Sequence, residues 1–162
     1  MRKVFTNGCF DLLHVGHIKL LEFAGAQGDY LTVGIDDDKS VEILKGQNRP
    51  IVPVEERAQL LASIKWVDEV VVFSGNEELQ AMLNEVNPDV IVKGSDWTKQ
   101  EVIKSGTATV MLFDHTGHSC TNIIKKIGDQ FASKVKSMAP IHRFALYGED
   151  LPKEENNAEQ TN

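Results

Sequence analysis

The 162-residue sequence has the usual size of a single domain with one hydrophobic core. It is 41% hydrophobic and 25% charged, and no apolar run is long enough to cross a bilayer. The formal net charge of −7 argues against broad nucleic-acid binding, which needs a basic face, but allows a small phosphorylated ligand held by a local group of donors.

Strand-like and helix-like segments alternate along the chain. Apolar, β-branched segments predict five strands: Lys3–Thr6, Tyr30–Ile35, Glu69–Phe73, Asp89–Lys93 and Ala108–Phe113. Apolar residues at helical spacing predict helices over Ile18–Gln27, Val54–Ile64, Glu77–Glu85, Thr98–Lys104 and Ser119–Ile127, with a short helical stretch before Lys45. The nearly all-apolar strands predict a Rossmann-like, doubly wound five-stranded parallel sheet in three layers, α/β/α.

The chain is predicted to form one domain over residues 1–147, with a core at 3–127 and a helical arm at 128–147. The last helix can continue toward Lys136, and Gly128 is the position at which a break is expected. Residues 148–162 are polar and acidic and are predicted to be disordered. Two cysteines and no signal peptide favour free thiols and a cytoplasmic location.

The first unusual segment, Asn7–His17, joins the first strand to the first helix, where doubly wound sheets bind ligands. If His17 lies in the opening turn of the helix, His14 and His17 can both turn toward free backbone N–H groups that favour an anion. The alternative is a pair of incidental loop histidines. The coincidence of glycines, an acid and two histidines at this junction favours a phosphate site.

The second segment is a basic loop with glycine and proline. Lys45, Arg49 and Arg57 can converge on phosphate groups, lysine as a point charge and arginine as a planar fork. The alternative is a solvated loop in which Arg57 forms an ion pair with Glu55 or Glu56.

Two further segments follow the fourth and fifth strands. Gly94 permits close approach, Asp96 offers an acceptor and Trp97 offers a stacking face, although a polar turn is the simpler interpretation. Ser119 is a natural helix N-cap, and its hydroxyl and that of Thr121 are expected beside free helix N–H groups. These donors predict a second phosphate-binding site. The alternative is that the two hydroxyls only cap the helix.

These segments resemble a known family. Gly8–His17 resembles the G-x-F-D-x-x-H-x-G-H signature of the cytidylyltransferase-like nucleotidyltransferases. Leu44–Arg57 is similar to the K-G…R-P-x-x-P-x-x-x-R run of the transferase domain in bifunctional heptose-phosphate kinase/adenylyltransferases. Ser119–Ile127 resembles their S-T-T-N-I-I-K-K-I run, with Cys120 in place of the first threonine. Lys93–Trp97 resembles both V-K-G-G-D-Y of heptose enzymes and M-G-D-D-W of glycerol-phosphate enzymes.

The resemblance implies roles for particular residues. His14, His17 and Lys45 would be catalytic, and Lys45, Arg49 and Arg57 would hold the acceptor phosphate. The nucleotide would be bound by Cys9, Phe10, Asp11, His14, Gly16, His17, Gly94, Asp96, Trp97, Ser119, Cys120 and Thr121.

The resemblance also implies the partners. The expected substrates are a nucleoside triphosphate, with ATP favoured, and a phosphorylated sugar such as heptose 1-phosphate. A CTP-dependent glycerol-3-phosphate or polyol-phosphate enzyme and a non-catalytic nucleotide-binding module are the alternatives. A homodimer is expected, with no nucleic-acid or membrane partner.

A magnesium ion is expected to be held mainly by the triphosphate, without metal ligands from the protein. The residue types also allow a zinc site built from two H-x-x-H pairs and the two cysteines: His14, His17, His115, His118, Cys9 and Cys120. Because each pair adjoins a glycine and a phosphate-like cradle, the phosphate interpretation is favoured.

Overall fold

The computed structural model describes residues 1–114 and 117–137, and the chain divides into two compact units, Met1–Cys120 and Thr121–Asn162. The described strands are β1 (Lys3–Gly8), β2 (Tyr30–Asp36), β3 (Glu69–Phe73), β4 (Val90–Gly94) and β5 (Thr109–Phe113). The helices are α1 (Val15–Gly25), α2 (Asp38–Lys45), α3 (Val54–Ala62), α4 (Gly75–Val86) and α5 (Cys120–Ser137).

The five strands form one parallel sheet in the order β3-β2-β1-β4-β5. From β1 the chain builds outward to β2 and β3, and it then crosses to β4 and β5 on the other side of β1. The strand order therefore reverses between β1 and β4, and doubly wound sheets bind their ligands at such a switch point. The predicted Rossmann-like sheet is confirmed.

Helices cover both faces of the sheet, because successive strand residues point to opposite sides. Val4 packs in one core cluster with Leu21 of α1 and Leu61 of α3, whereas Phe5 packs in a second cluster with Leu83 of α4. All five side chains are at most 1% exposed, and burying each contributes about 1.5–3 kcal/mol. The three-layer α/β/α arrangement is confirmed.

Some predicted boundaries shift for local reasons. Helix α1 begins at Val15 rather than Ile18, because the His14 side chain accepts a hydrogen bond from the His17 amide and caps the helix. Strand β1 continues to Gly8, since its pairing with β2 extends to that residue. Helix α5 runs through Gly128 without the expected break.

The predicted helix over Thr98–Lys104 is wrong, because this segment forms turns. The Thr98 amide and hydroxyl both donate to the Glu101 carboxylate, at 2.9 and 2.7 Å, and close a single turn. Val102 then packs into the second core cluster, and Gly106 adopts a φ of 56° before β5. A segment this short gains too few hydrogen bonds to offset helix nucleation.

In the second unit, the structure describes residues 121–137, which all belong to α5. The predicted arm at 128–147 is therefore helical as far as residue 137, while its remainder and the predicted tail at 148–162 lie outside the described residues. Within the described residues, none of the helices combines the length and apolar character needed to cross a membrane. The cytoplasmic location and the homodimer stay predictions.

Candidate functional site

A stacked pair of histidines marks the junction between β1 and α1. His14 is the N-cap of α1, and its Nδ1 accepts a hydrogen bond of 3.4 Å from the His17 amide. The two imidazole rings stack with centroids 3.8 Å apart and planes inclined by 14°. His17 thus lies in the first helical turn, which contains no acidic residue to neutralise the positive end of the helix dipole.

The Phe10 ring packs against the His17 ring of this pair. Its side chain is 4% exposed, and its ring lies 5.1 Å from the His17 ring in a tilted arrangement. Phe10 has a φ of 46°, a backbone conformation that is uncommon outside glycine and that clusters at functional sites. The loop that follows β1 therefore turns at Phe10 and packs that ring against His17.

The segment that follows β5 lies against the histidine pair. The His118 ring centroid is 6.1 Å from that of His14, and the Cys120 thiol donates to the Leu12 carbonyl at 3.2 Å. Ser119 lies between these two residues in the chain, so the structure brings it to the histidine pair as well. Thr121 belongs to the second unit, and its nucleotide-binding role stays a prediction.

Gly16 makes this close approach possible. A Cβ atom at residue 16 would lie 2.8 Å from the His118 Cβ and 3.0 Å from the His14 ring. We expect Gly16→Ala to displace one of these histidines and to cost about 1–3 kcal/mol of folding free energy by overpacking. Chemical denaturation and turnover should both show the loss.

Gly128→Ala is the matched control for this substitution. A Cβ atom at residue 128 would meet no heavy atom within 4 Å, and alanine favours a helix interior by about 1 kcal/mol over glycine. Equal destabilisation by both variants would show that crowding at residue 16 is not the cause.

Asp11 joins the first predicted segment to the second. Its side chain is fully buried, accepts a hydrogen bond of 2.6 Å from Arg49 Nε, and accepts two of 2.8 Å from the Ile51 and Val52 amides. Burial acts to raise the pKa of Asp11, but these hydrogen bonds together lower it below its ordinary value. The contacts show Asp11 holding the basic loop in place; its predicted contact with nucleotide stays a prediction.

Arg57 is buried and serves the framework of the site. The side chain is 0% exposed, and its Nη1 donates to the Cys9 and Asp36 carbonyls at 2.6 and 2.9 Å. Its Nε donates to the Val52 carbonyl at 2.9 Å, and its Nη2 pairs with Asp38 at 2.6 Å. These contacts favour a structural role over the predicted phosphate contact, and its ion-pair partner is Asp38 rather than Glu55 or Glu56.

Lys45 ends α2 and is exposed, as a residue that meets an incoming substrate should be. Its positive charge acts to lower the pKa of the Cys9 thiol. Arg49 is 11% exposed at its side chain and is held by Asp11. The structure therefore brings Arg49 to the loop after β1, and the predicted catalytic role of Lys45 stays a prediction.

Lys93 is the main site feature that sequence reasoning missed. It ends the buried part of β4, is 7% exposed, and its ammonium donates to the Asn7 carbonyl and side-chain oxygen at 2.9 and 3.1 Å. Because Asn7 lies on β1, Lys93 links the carboxyl ends of the two strands between which the strand order reverses, where doubly wound sheets bind ligands. The sequence contains one signal for this role, a lysine that directly follows the apolar residues of a predicted buried strand.

The Lys93 ammonium also reaches the third predicted segment. It lies 4.6 Å from the centre of the Trp97 ring, which is 42% exposed and is oriented by a turn hydrogen bond of 3.2 Å to the Gly94 carbonyl. Burial lowers the pKa of Lys93 to about 8, against the opposing effect of the charges of Asp36 and Asp96. Gly94, Asp96 and Trp97 therefore lie at the carboxyl end of β4.

Cys9, which follows β1, and Asp36, the last residue of β2, form a hydrogen-bonded pair. The Cys9 thiol donates to Asp36 at 3.6 Å, and burial together with the neighbouring carboxylate raises the Cys9 pKa to about 11. Burial also raises the pKa of Asp36. Cys9 is therefore a protonated thiol at neutral pH, and its predicted contact with nucleotide stays a prediction.

Two buried carboxylates near the histidine loop already have partners. Asp11 is occupied by Arg49 and two backbone amides, and Asp36 is buried against Cys9. The predicted magnesium ion, held mainly by the triphosphate, stays a prediction.

Comparison with known proteins agrees with this geometry. Residues 5–139 match the family described as cytidylyltransferase-like. A bifunctional protein HldE from Methylobacillus flagellatus is 45% identical over 132 residues, which cover 78% of this chain and 27% of that protein. Another bifunctional protein HldE, from Helicobacter pylori strain G27, is 49% identical over 126 residues, again covering 27% of the relative. The chain thus spans 27% of the length of these relatives.

A solved structure extends the comparison to the fold. The crystal structure of a lipopolysaccharide core biosynthesis protein from Thermoplasma volcanium superposes with a TM-score of 0.59 at 27% identity, covering 70% of this chain and 97% of that one. From the family match over residues 5–139, the chain belongs to the cytidylyltransferase-like family.

Proposed function

We propose that the chain transfers a nucleoside monophosphate, preferably from ATP, to a sugar phosphate such as heptose 1-phosphate and releases pyrophosphate. The observation that carries this proposal is the stacked His14–His17 pair at the N-terminus of α1, facing the segment after β5 across the switch point. Imidazoles, a helix N-terminus and a glycine-bounded loop together suit a triphosphate.

The reaction needs positioning more than acid–base chemistry. An oxygen of the acceptor phosphate forms a bond to the α-phosphorus as the bond between the α-phosphorus and the bridging oxygen breaks, and pyrophosphate leaves with both electrons of that bond. The acceptor phosphate is already anionic at neutral pH, so no base has to remove a proton. Aligning the two groups and stabilising the spreading charge are the tasks that remain.

Each group of site residues has a proposed task. His14 and His17 bind the phosphates and stabilise the charge that develops on them, with Ser119 and Thr121 as further donors. Lys45 and Arg49 receive the acceptor phosphate, while Asp11 and Arg57 hold the loop that carries them. A magnesium ion bound mainly through the triphosphate would screen the charge on its outer phosphates.

Two sequence features favour the heptose assignment. The R-P-x-x-P run and the N-I-I-K-K-I run resemble heptose adenylyltransferases, and the HldE relatives are similar over 76–78% of the chain. The exposed Trp97 after Gly94 resembles the glycerol-phosphate enzymes instead and favours the CTP-dependent alternative. The arginine that precedes the last motif in those enzymes is absent here, which weighs against cytidine.

A pyrophosphate-release assay tests the proposal. Purified protein is incubated with ATP or CTP and with heptose 1-phosphate, glycerol 3-phosphate or no acceptor. Release with ATP and heptose 1-phosphate alone supports the proposal, and release with CTP and glycerol 3-phosphate supports the alternative. If nucleotide binds but no pair releases pyrophosphate, the non-catalytic binding module is favoured.

Lys45→Ala is expected to lower kcat/KM for the acceptor by about 10²–10³, the usual loss for a charge that stabilises a phosphoryl transition state. Lys39→Ala is the matched control, because Lys39 is also an exposed lysine of α2, and it should change kcat/KM by less than about twofold. Steady-state kinetics with varied acceptor measures both. Equal losses in the two variants would contradict a specific role for Lys45.

The buried Lys93 should impose an alkaline limit on activity. Asp36, Asp96 and Cys9 are the titratable groups that act on its ammonium, and the pKa of about 8 means that the charge is lost as the pH rises through that value. We expect kcat/KM to fall above pH 8, and Lys93→Met to have a lower kcat/KM without this alkaline decline.

Lys3→Met is the matched control for Lys93. Lys3 is also a strand lysine whose ammonium donates to a carbonyl, that of Val86 at 3.0 Å, but it lies at the amino end of β1. Its replacement should leave the alkaline decline in place. A decline that persists unchanged in Lys93→Met would show that another group causes it.

A further inference from the structure

Three side chains that can each bind zinc lie close together at the starts of α1 and α5. The candidate ligand atoms of His14, His17 and Cys120 all lie within 4.8 Å of one another, and each residue is partly buried. Two imidazoles and a thiolate form a donor set that suits Zn²⁺ and similar soft divalent cations. We propose that this cluster binds one zinc-type cation and that the bound cation excludes the nucleoside triphosphate.

The geometry of the cluster is close to that of a three-ligand site. Zinc bonds of about 2.0–2.3 Å in a tetrahedron place ligand atoms about 3.5 Å apart, so separations of up to 4.8 Å must shorten by about 1 Å. The His14 and His17 rings stack with centroids 3.8 Å apart, so both rings would have to rotate to point a nitrogen at one cation.

Cys120 is positioned as the third ligand. It is the first residue of α5, and its hydrogen bond of 3.2 Å to the Leu12 carbonyl directs the sulfur toward the loop before α1. Cation binding forms one metal–sulfur and two metal–nitrogen bonds, and the thiol proton is released to solvent. Cys9 cannot replace it, because that thiol is occupied by Asp36.

Cys120 is a difference between this chain and the heptose adenylyltransferase motif that it otherwise resembles. Heptose adenylyltransferases carry a threonine at the position of Cys120, and a hydroxyl is a poor ligand for a soft cation. Competition with nucleotide rests on the proposed function, because His14 and His17 would donate hydrogen bonds to the phosphates. Imidazole nitrogens bound to a metal no longer donate those hydrogen bonds.

Cobalt spectroscopy tests the site without any assay of activity. Co²⁺ titrated into the 162-residue protein, in thiol-free buffer, should saturate at one equivalent with tetrahedral visible bands and a thiolate-to-cobalt charge-transfer band. Cys120→Ser should abolish the charge-transfer band, and the matched control Cys9→Ser should retain it. No charge-transfer band in the unmodified protein, or a band that depends on Cys9 rather than Cys120, would overturn the proposal.

Zinc inhibition tests the exclusion of nucleotide. Pyrophosphate release is measured at buffered free Zn²⁺ with varied nucleotide, as the ratio of rates with and without zinc, so that changes in basal rate cancel. We expect inhibition that excess nucleotide relieves, and an inhibitory zinc concentration about 100-fold higher for Cys120→Thr, because even indirect supports of a ligand are worth about 10–100-fold in affinity. Inhibition that nucleotide does not relieve, or that is unchanged in Cys120→Thr, would overturn the exclusion.

The two experiments separate this proposal from the proposed function. If no substrate pair releases pyrophosphate, the cobalt spectra still decide whether the cation site exists. If turnover is found but the cobalt bands are absent, the transferase stands and the cation site does not.

Discussion

Replacing His14 with alanine is expected to lower kcat/KM by about 10²–10³, the range found when one donor to a developing oxyanion is removed. The imidazole stacks on His17 at 3.8 Å and lies at the N-terminus of α1, where phosphate charge is favoured. The same change removes the helix cap, because His14 Nδ1 accepts from the His17 amide, and losing a cap costs about 1 kcal/mol of folding free energy.

His14→Asn separates these two effects. Asparagine is a good N-cap and can accept the same amide hydrogen bond, but its shorter side chain ends before the position of the imidazole Nε2 and carries no positive charge. We expect His14→Asn to unfold within about 0.5 kcal/mol of the unmodified protein in urea and still to lose activity as severely as His14→Ala. If His14→Asn restores both the helix cap and the activity that His14→Ala loses, His14 acts only by capping α1.

Replacing Asp11 with alanine is expected to cost about 3–5 kcal/mol of folding free energy, because it leaves the partly buried Arg49 and two backbone amides without their acceptor. The loop that carries Arg49 should also loosen, so KM for the acceptor should rise. Asp89→Ala is the matched control, since exposed Asp89 accepts a single hydrogen bond of 2.8 Å from the Lys3 amide and should cost about 1 kcal/mol.

Urea unfolding at neutral pH measures both variants. Equal free-energy losses for Asp11→Ala and Asp89→Ala would contradict the assignment of Asp11 as the anchor of the basic loop. An unchanged acceptor KM in a folded Asp11→Ala protein would show that the loop does not position the acceptor.

The pH dependence gives an independent check on Asp11. Its pKa is lowered in the folded protein, so the stabilisation is present above the ordinary aspartate pKa and is lost as the pH falls through the lowered value. Asp11→Asn removes this group from the titration. We expect its stability to decline less steeply on acidification than that of the unmodified protein, as measured by urea unfolding at several acidic pH values.

Part of the framework of the site could not be predicted because it depends on contacts between distant residues. Arg57 meets the Cys9 carbonyl from 48 positions away, and Lys93 meets Asn7 from 86 positions away. Neither pair has a local pattern, so Arg57 was predicted as a phosphate ligand and Lys93 had no assigned role. Both have their partners only once parallel strands place those segments at one edge of the sheet.

The arrangement of the sheet and the position of the histidine pair were available from the sequence alone. Apolar runs that alternate with amphipathic segments leave few options besides a parallel sheet covered on both faces, and the loop that joins a strand to a helix is where such sheets bind ligands. The tertiary structure decided which polar groups meet there. It placed Cys120 against Leu12, 108 residues away, and so formed the cluster with His14 and His17. Local periodicity reports which face of an element is buried, whereas the partners of a polar side chain depend on how the whole chain folds.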